Sequence, residues 1–434
     1  MSNQLPVSAP AGWKDSTLGR VADCILGGTP STDVKQYWGG DIPWMASGDV
    51  HLRRIEDVPG RITERGLRSS NATLTCPPAV AVGLAGQGKT RGTVALTLCT
   101  LSTNQSIALL KANGIDLRTD YLFHNLDRRY EELRARSSGG GRGGLSKGIL
   151  EAVPIDLPPL VEQEVVARIL DTIDTAIHET EAIIAKLNAV KLGLLHDLLT
   201  RGIDANGKLR PSQDEAPYLY KESQLGWIPT GWTVQPLGQL LAEQTKNGLY
   251  KPSQFHGRGP LMVQMGGLFS GESAVFDSAT RVQVSPAELN AFGLSVGVLL
   301  FARRSLVFEG AGLCVIVRHL PGPSTFESSI VRVRVRRDCV NPEFVCQILR
   351  GHASARQRRT LIRQVAVSGV SSGDIRQLLI PVPPLPEQQL VVERQFAAQV
   401  QIDQEVLAHT KLVRLKTGLM DDLLTGRARV TPLL

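Results

Sequence analysis

The chain is written twice, and this constrains its fold more than any single motif. Gly12-Trp13, four residues and Leu18-Gly19 recur 219 positions later as Gly231-Trp232, four residues and Leu237-Gly238. Pro158-Pro159-Leu160-x-Glu162-Gln163 recurs 225 positions later as Pro383-Pro384-Leu385-x-Glu387-Gln388. That second register continues without a gap for about forty residues. It lays Lys186-Leu187 on Lys411-Leu412, Lys191 on Lys416, Gly193-Leu194 on Gly418-Leu419, and Asp197-Leu198-Leu199-Thr200 on Asp422-Leu423-Leu424-Thr425. Two copies of one sequence plan specify two copies of one structural unit, for which pseudo-twofold symmetry is the expected arrangement.

Each copy has two parts. Ahead of Pro158 and Pro383 the chain is rich in Gly, Pro, Thr and Val, with short alternating runs such as Thr93–Leu98 and Val331–Arg336 that read as strands and turns. After them come about thirty residues free of Gly and Pro, which read as helix. In the first helix Val166, Ile169, Ile173, Ala176, Thr180, Ile183, Leu187, Val190 and Leu194 follow three- and four-residue steps, the seam of a coiled coil. The second keeps such a seam at Ala408, Leu412, Leu415 and Leu419 but places Arg394 and Gln401 on it earlier, which questions its continuity near Gln388. An ordinary core-facing helix would explain either stripe alone; two equivalent stripes favour mutual packing. Helices of ~40 residues at ~1.5 Å per residue make a rod on the order of 60 Å long. Asn206-Gly207-Lys208 and Arg210-Pro211-Ser212 read as the loop into the second copy.

Several chemical motifs compete with this picture. Gly83–Thr90 matches the phosphate-loop pattern G-x-x-x-x-G-K-[ST]. A working phosphate loop needs a helix directly after its Lys-Ser/Thr, so that the helix N-terminus faces the phosphates. Here Arg91-Gly92 and the β-branched run from Thr93 follow, which specify a hairpin. Asn341-Pro342-Glu343-Phe344 approaches the Asn-Pro-Pro-[Phe/Tyr] of amino-methyltransferases, but Glu343 breaks it, and a helix start with Asn341 as N-cap and Pro342 in first position accounts for it. Asp33-Val34-Lys35 is half of a nuclease carboxylate–lysine pattern without a convincing upstream Asp. No Ser-His-Asp or Cys-His arrangement can be assembled.

Composition narrows the rest. The six cysteines form no C-x-x-C pair and the eight histidines no helical metal-ligand pair, so zinc is not expected and the cysteines read as buried free thiols. No secretory signal and no membrane-length apolar run is seen, so no membrane association is expected and the cytoplasm is the expected compartment. A net charge of +7 points to an anionic partner, most simply nucleic acid. Nine arginines lie between Ile330 and Arg363, and Arg332, Arg334 and Arg336 alternate with valines as one face of a strand, either simply solvated or in contact with phosphate. Loops combining Gly with short polar and basic residues recur in both copies, as base-reading loops do. The candidate DNA contacts are Ser47, Gly48, Asp49, Gln87, Lys89, Thr90, Arg91, Asn104 and Gln105 in the first copy. In the second they are Lys246, Asn247, Lys251, Gln264, Arg303, Arg304, Ser305, Arg356, Arg358 and Arg359.

Across nearly its whole length the chain resembles the DNA specificity subunits of type I restriction–modification systems. The two Pro-Pro-Leu-x-Glu-Gln entries and the two Asp-Leu-Leu-Thr ends carry the resemblance, with Trp44–Asp49, Gly86–Gly92, Thr103–Ser106, Leu300–Val307, Glu309–Gly312 and Phe326–Ser329. It implies an α+β fold: two similar mixed α/β target-recognition domains, 1–157 and 204–382, separated by two long helices, 158–203 and 383–434, packed as an antiparallel coiled coil. It implies a non-catalytic subunit whose recognition domains each read one half of a bipartite double-stranded DNA target. Its helices would set the half-site spacing and dock two methyltransferase subunits, and a separate ATP-dependent restriction subunit would join for cleavage. This chain would hold no cofactor; S-adenosylmethionine, ATP and Mg would belong to its partners. The alternatives are an enzyme using Gly83–Thr90 as a nucleotide site and a stand-alone duplicated DNA-binding protein.

Overall fold

The structure is a computed structural model that describes residues 10–86, 88–137, 144–362 and 368–434, without the side chains of Glu309 and Ser368. It divides into two units that do not follow chain order: residues up to Ile183 together with Glu405–Leu434, and Ile184–Gln404. Each therefore contains the start of one long helix and the end of the other. Those helices are unbroken, Leu160–Thr200 and Leu385–Leu423, so the chain is helical straight through Gln388.

The first unit is built on a five-stranded sheet in the order Ala22–Leu26, Ile107–Ala112, Ala79–Gly83, Val94–Thr97, Arg54–Ile55. A three-stranded sheet joins it, with Trp38–Met45 between antiparallel Arg61–Ile62 and parallel Ser102–Thr103. The Ala-Val-Ala-Val run of the central strand shows why it lies inside. Val80 and Val82 enter one core with Leu96, Leu110 and Phe123, while Ala79 and Ala81 enter another with Met45, Ile55 and Leu109. Alternate side chains point to opposite faces, so a strand covered on both faces must be apolar throughout.

The second unit repeats this design. Its sheet runs Lys246–Asn247, Ile330–Val333, Leu299–Ala302, Cys314–Ile316, the order of the first four strands above. Beside it His256–Val263 lies between antiparallel Thr280–Val282 and parallel Ser324–Phe326. Leu299 and Phe301 fill one core, Leu300 and Ala302 the other. In both units a strand before the sheet (Lys14–Thr17, Thr233–Pro236) pairs with the strand that leads into a long helix (Pro154–Leu157, Leu379–Val382).

The repeated motifs fasten these bodies to the helices. Gln163 Nε2 donates to the carbonyls of Asp116 and Pro158, and its Oε1 accepts from Arg118 N; Gln388 does the same with Cys339, Pro383 and Asn341 N. Each Gln thus joins a long-helix entry to the start of a packed helix, Thr119–Arg128 or Pro342–Arg350. The neighbouring glutamate accepts from the repeated tryptophan: Trp13 Nε1 to Glu162 at 3.4 Å, Trp232 Nε1 to Glu387 at 3.1 Å. An arginine beyond the end of the other helix neutralises it, Arg429 at 2.6 Å from Glu162 and Arg210 as a fork on Glu387. All four motif side chains are buried. A methyl on Gly19 would sit 2.8 Å from Glu151 Cβ, and one on Gly238 3.2 Å from Arg376 Cβ, which explains the repeated glycine.

The helix seam differs from the expected one by one residue in every second step. Ile183, Val190 and Leu415 are 45%, 56% and 52% exposed. The inward positions of the first helix are Ile173, Ile177, Thr180, Ile184, Leu187, Lys191, Leu194 and Leu198; those of the second are Ala398, Ile402, Glu405, His409, Leu412, Lys416, Leu419 and Leu423. The two sets superpose at the 225-residue offset. Arg394 and Gln401 are exposed and their successors Gln395 and Ile402 buried, so the apparent weakness was one of register. Apolarity misleads here because each seam contains a lysine with a polar partner on the other helix: Lys416 Nζ to Asp174 at 2.6 Å in the first unit, Lys191 Nζ to Gln399 at 2.6 Å in the second. Glu181 meets His409 at 3.1 Å. In the first unit the partner numbers fall as the helix numbers rise, so these two segments are antiparallel.

Two further expectations need correction. The strand containing Arg332 ends at Val333, and Arg332 is 2% exposed, its guanidinium donating to Gly293 O and Glu243. Arg334 donates to the same two partners, so these side chains hold the fold together instead of presenting a phosphate-binding face. Burial and the nearby Arg334 lower the Arg332 pKa. Arg336 is exposed, and Arg363 lies outside the described residues. All six cysteines are free thiols, but only Cys24, Cys314 and Cys346 are buried; Cys76 is exposed.

Candidate nucleic-acid interface

In the first unit the parallel strands Trp38–Met45 and Ser102–Thr103 end side by side, and the loops leaving them share one edge. Asn104 N donates to Met45 O at 3.0 Å, and Asn104 Oδ1 accepts from Ser106 N in a tight turn that leaves Gln105 exposed. A third loop crosses here: Gly28 N donates to Thr103 O, Trp44 Nε1 donates to Gly28 O, and Thr29 Oγ1 bonds to Gln105 Oε1. A methyl on Gly27 would overlap the carbonyls of Thr103 and Asn104, so only glycine allows this crossing.

Ser47, Gly48 and Asp49 open the 3-10 turn Ser47–Leu52 that follows Met45. Asp49 accepts from Ala46 N at 2.8 Å and so caps that turn. From its far end His51 Nε2 lies 3.2 Å from Thr90 Oγ1, which brings the loop after Gly83 to the same edge. That loop joins Ala79–Gly83 to antiparallel Val94–Thr97, strand to strand as expected, with no helix behind Thr90 to receive a nucleotide phosphate. Tyr130 OH donates to Lys89 O at 3.2 Å and Arg134 Nη1 to Gly88 O at 2.6 Å, clamping the loop from below while the Lys89 side chain stays exposed. Arg91 is half-buried beside it, and Gln87 lies outside the described residues.

The second unit forms the same edge from different side chains. Glu327 N donates to Val263 O as Asn104 N does to Met45 O, and Gly248 N to Ile330 O as Gly27 N does to Ile107 O. Arg303 N donates to Ser329 O as Leu84 N does to Ser106 O. Gln264, Asn247, Arg303, Arg304 and Ser305 therefore lie on neighbouring strand ends and connecting segments, with Arg304 exposed. Gln264 Nε2 is tied to Thr280 Oγ1 at 2.9 Å, and Ser372 Oγ donates to Asn247 Oδ1 at 3.2 Å.

Other sequence candidates have structural partners. Lys246 Nζ donates to Ala291 O and lies over the Phe292 ring. Lys251 forks onto Glu288 at 2.8 and 3.0 Å, and that bond, with those from Ser285, holds the Glu288 carboxyl below its usual range. Arg358 is buried, its guanidinium bonded to Leu349 O, and burial lowers its pKa. Arg356 is exposed and lines a cavity with Leu192, Leu195 and Leu199 of the first long helix, and Arg359 is exposed on the same short helix, His352–Leu361. Sequence reasoning missed Thr29, His51 and Glu327, whose places depend on pairings between strands distant in the chain. The signal for Gly27 and Gly248 was present, since each lies at the end of the first strand of its sheet.

Among the described residues no group of three His, Cys, Asp or Glu is placed to hold a metal ion, and no helix is long and apolar enough to cross a membrane. The edge offers hydrogen-bond donors and acceptors on tight, glycine-permitted loops, with exposed Lys89 in one unit and Arg304 in the other. Such a set suits recognition of polar base edges and phosphates.

Comparison with known proteins agrees. Residues 10–189 match the model of the type I restriction modification DNA specificity domain. The type I restriction enzyme MjaVIII specificity subunit of Methanocaldococcus jannaschii is 23% identical over 428 residues, 97% of this chain and 94% of that one. The EcoKI specificity subunit of Escherichia coli (strain K12) is 24% identical over 269 residues, 61% of this chain and 54% of that one. The crystal structure of an S subunit from M. genitalium covers 97% of both chains, with a TM-score of 0.57 and 13% identity. A chain solved in work on complex assembly and conformational transition of the type I R-M system has a TM-score of 0.58 and 16% identity, covering 96% of this chain and 99% of that one. At such identities the structures speak to the fold.

Proposed function

The chain belongs to the DNA specificity subunits of type I restriction–modification systems, and from that premise we propose how its two copies divide the work. Each reads one half of a bipartite double-stranded DNA target through its strand-end loops. The recognition bodies are residues 1–157 and 204–382; the spacer helices are 158–203 and 383–434. The observation that carries this reading is one loop scaffold built twice with different side chains. Thr29, Lys89, Thr90, Asn104 and Gln105 furnish one edge, Gln264, Arg303, Arg304 and Ser305 the other. Equal scaffolds place both edges alike, and unequal side chains read unequal half-sites.

The long helices act as an antiparallel coiled-coil spacer. Successive major-groove faces lie ~34 Å apart along DNA, so a stiff spacer sets the gap between half-sites. Two methyltransferase subunits dock on it and a restriction subunit joins for cleavage; S-adenosylmethionine, ATP and Mg belong to those partners. Lys89, which invites a nucleotide-site reading, contacts DNA in this scheme.

Co-expression with the methyltransferase subunit, followed by mapping of methylated adenines, tests the proposal. The expected motif has two unlike parts and a fixed unspecified gap; a continuous palindrome overturns it. Removing two matched turns from both helices should shorten the gap and leave the half-sites unchanged.

A further inference from the structure

The reading edge of the second unit has an apolar feature on a loop whose equivalent in the first unit is polar and basic. After Arg304–Ser305 the chain makes a tight loop, with Val307 N donating to Ser305 Oγ at 3.1 Å and Gly310 N to Val307 O at 3.0 Å. This loop turns Leu306 and Val307 outward, 91% and 62% exposed, beside Phe269 at 46%. Behind them lies a cavity of about 630 Å³, lined by Met265, Phe269, Leu306, Val307 and Leu313 and bordered by Arg304 and Ser305. Single exposed apolar side chains are ordinary, but a contiguous group around a concavity with a charged rim marks a contact surface. The corresponding loop of the first unit, between Leu84 and Gly92, has no large apolar side chain and includes Lys89, Thr90 and Arg91.

We propose that Leu306, Val307 and Phe269 form a pocket for thymine 5-methyl groups in the half-site read by the second unit. The inference rests on the strand-end loops being the DNA-reading edge. The occupant follows from continuity: Met265 directly follows Gln264, and Leu306 follows Arg304 and Ser305, so whatever the polar residues touch also meets the apolar ones. In the major groove of DNA the apolar group on a base edge is the thymine methyl. Arg304 on the rim supplies the cation that a phosphate or a guanine edge accepts.

The test uses the full chain assembled with its methyltransferase subunits and duplexes bearing the motif mapped by methylation. Arg304→Ala identifies the half-site read by the second unit, as the half whose recognition it weakens. If it leaves affinity and motif unchanged, the edge is not the reading surface, and the reading beneath this inference falls with it. Thymines are then replaced singly by deoxyuridine, which lacks only the methyl. At least one replacement in that half-site should weaken binding about fourfold, the equivalent of the ~0.8 kcal/mol of one buried methyl(ene). Replacements in the other half should respond identically in wild type and variant. A Leu306→Ser/Val307→Ser double variant, altered only at exposed positions, should bind the thymine duplex about as weakly as wild type binds the deoxyuridine duplex, and should no longer distinguish the two. Absence of any deoxyuridine-sensitive thymine in that half-site, or undiminished sensitivity in the variant, overturns the pocket.

Discussion

Lys416→Met should destabilise the first unit well beyond what Lys191→Met does to the second, although the two lysines occupy equivalent seam positions. Lys416 completes a group of two cations and two carboxylates. It lies 2.6 Å from Asp174 and 3.3 Å from Asp127, while Arg53 forks onto Asp127 and reaches Asp174 at 3.7 Å. Lys416, Asp127 and Asp174 are only 13%, 18% and 16% exposed. Removing the lysine leaves two shielded carboxylates facing one guanidinium, and an uncompensated buried charge costs about 3 kcal/mol. Lys191 bonds to the neutral Gln399 and, at 3.5 Å, to a Glu272 that Arg318 also holds and that is 38% exposed. Its loss strands no charge, so hydrogen-bond removal at about 1 kcal/mol, with little from the screened ion pair, is the expected cost. Burial alone would raise the Asp127 pKa, but Arg53 and Lys416 together bring it below the usual range. A depressed carboxylate stabilises the fold above its unfolded value near 3.8 and loses that contribution as pH falls through the folded value. The Lys416→Met penalty should therefore be largest at neutral pH and shrink below about pH 4. Hydrogen exchange of the segment Glu405–Leu423, read against Ile184–Thr200, measures the two costs separately. Adding Asp174→Asn should recover at least half of the loss by restoring neutrality. Equal penalties for the two lysines, or an Asp174→Asn change that simply adds to the damage, would refute the charge argument.

Glu387→Gln should cost about 3 kcal/mol in the second unit, since it removes the buried anion that faces the half-buried Arg210 fork, and should show as a lowered midpoint in thermal unfolding. Arg358→Met should lower stability by about 1–3 kcal/mol by removing the guanidinium bonded to Leu349 O, whereas exposed Arg359→Ala should leave thermal stability unchanged. Should Arg359 contact phosphate, its loss also lowers the salt dependence of DNA binding by about one unit of log–log slope, measured by titration at several salt concentrations. Gly248→Ala should force Leu249–Tyr250 away from Phe326 and Glu327 and abolish recognition of one half-site, while Gly27→Ala does so for the other; methylation mapping would show each half-site degrade separately.

The duplication made the repeated plan legible: in each copy a strand-rich region followed by one long helix. What the repeated residues do was not legible, because their partners are distant in sequence. Trp13 reaches Glu162 across 149 positions and Arg429 reaches Glu162 across 267. The seam was misplaced by one residue because apolarity selects Val190 and Leu415, whereas the polar bonds to Gln399 and Asp174 select Lys191 and Lys416. Arg332 was misplaced for a similar reason: a strand arginine reads as solvent-facing unless Glu243 and Gly293 are known to meet it.

The misplaced seam is an error that the duplication itself could have corrected. The residues identical at offsets of 219 and 225 include the two tryptophans, the Leu-Gly pairs, the Glu-Gln pairs and the seam lysines. The structure places each of them in a contact that holds a body or a helix in position. At the strand-end edges, by contrast, structurally equivalent positions differ: Asn104 against Glu327, Leu84 against Arg303, and the loop with Lys89 and Thr90 against the loop with Leu306 and Val307. Duplicated copies under a common folding constraint retain what the scaffold needs and diverge where each meets a different ligand surface. Within one chain, therefore, agreement between copies separates framework from reading surface. By that criterion Lys191 and Lys416 belong to the framework and Arg304, Leu306 and Val307 to the surface proposed to read DNA.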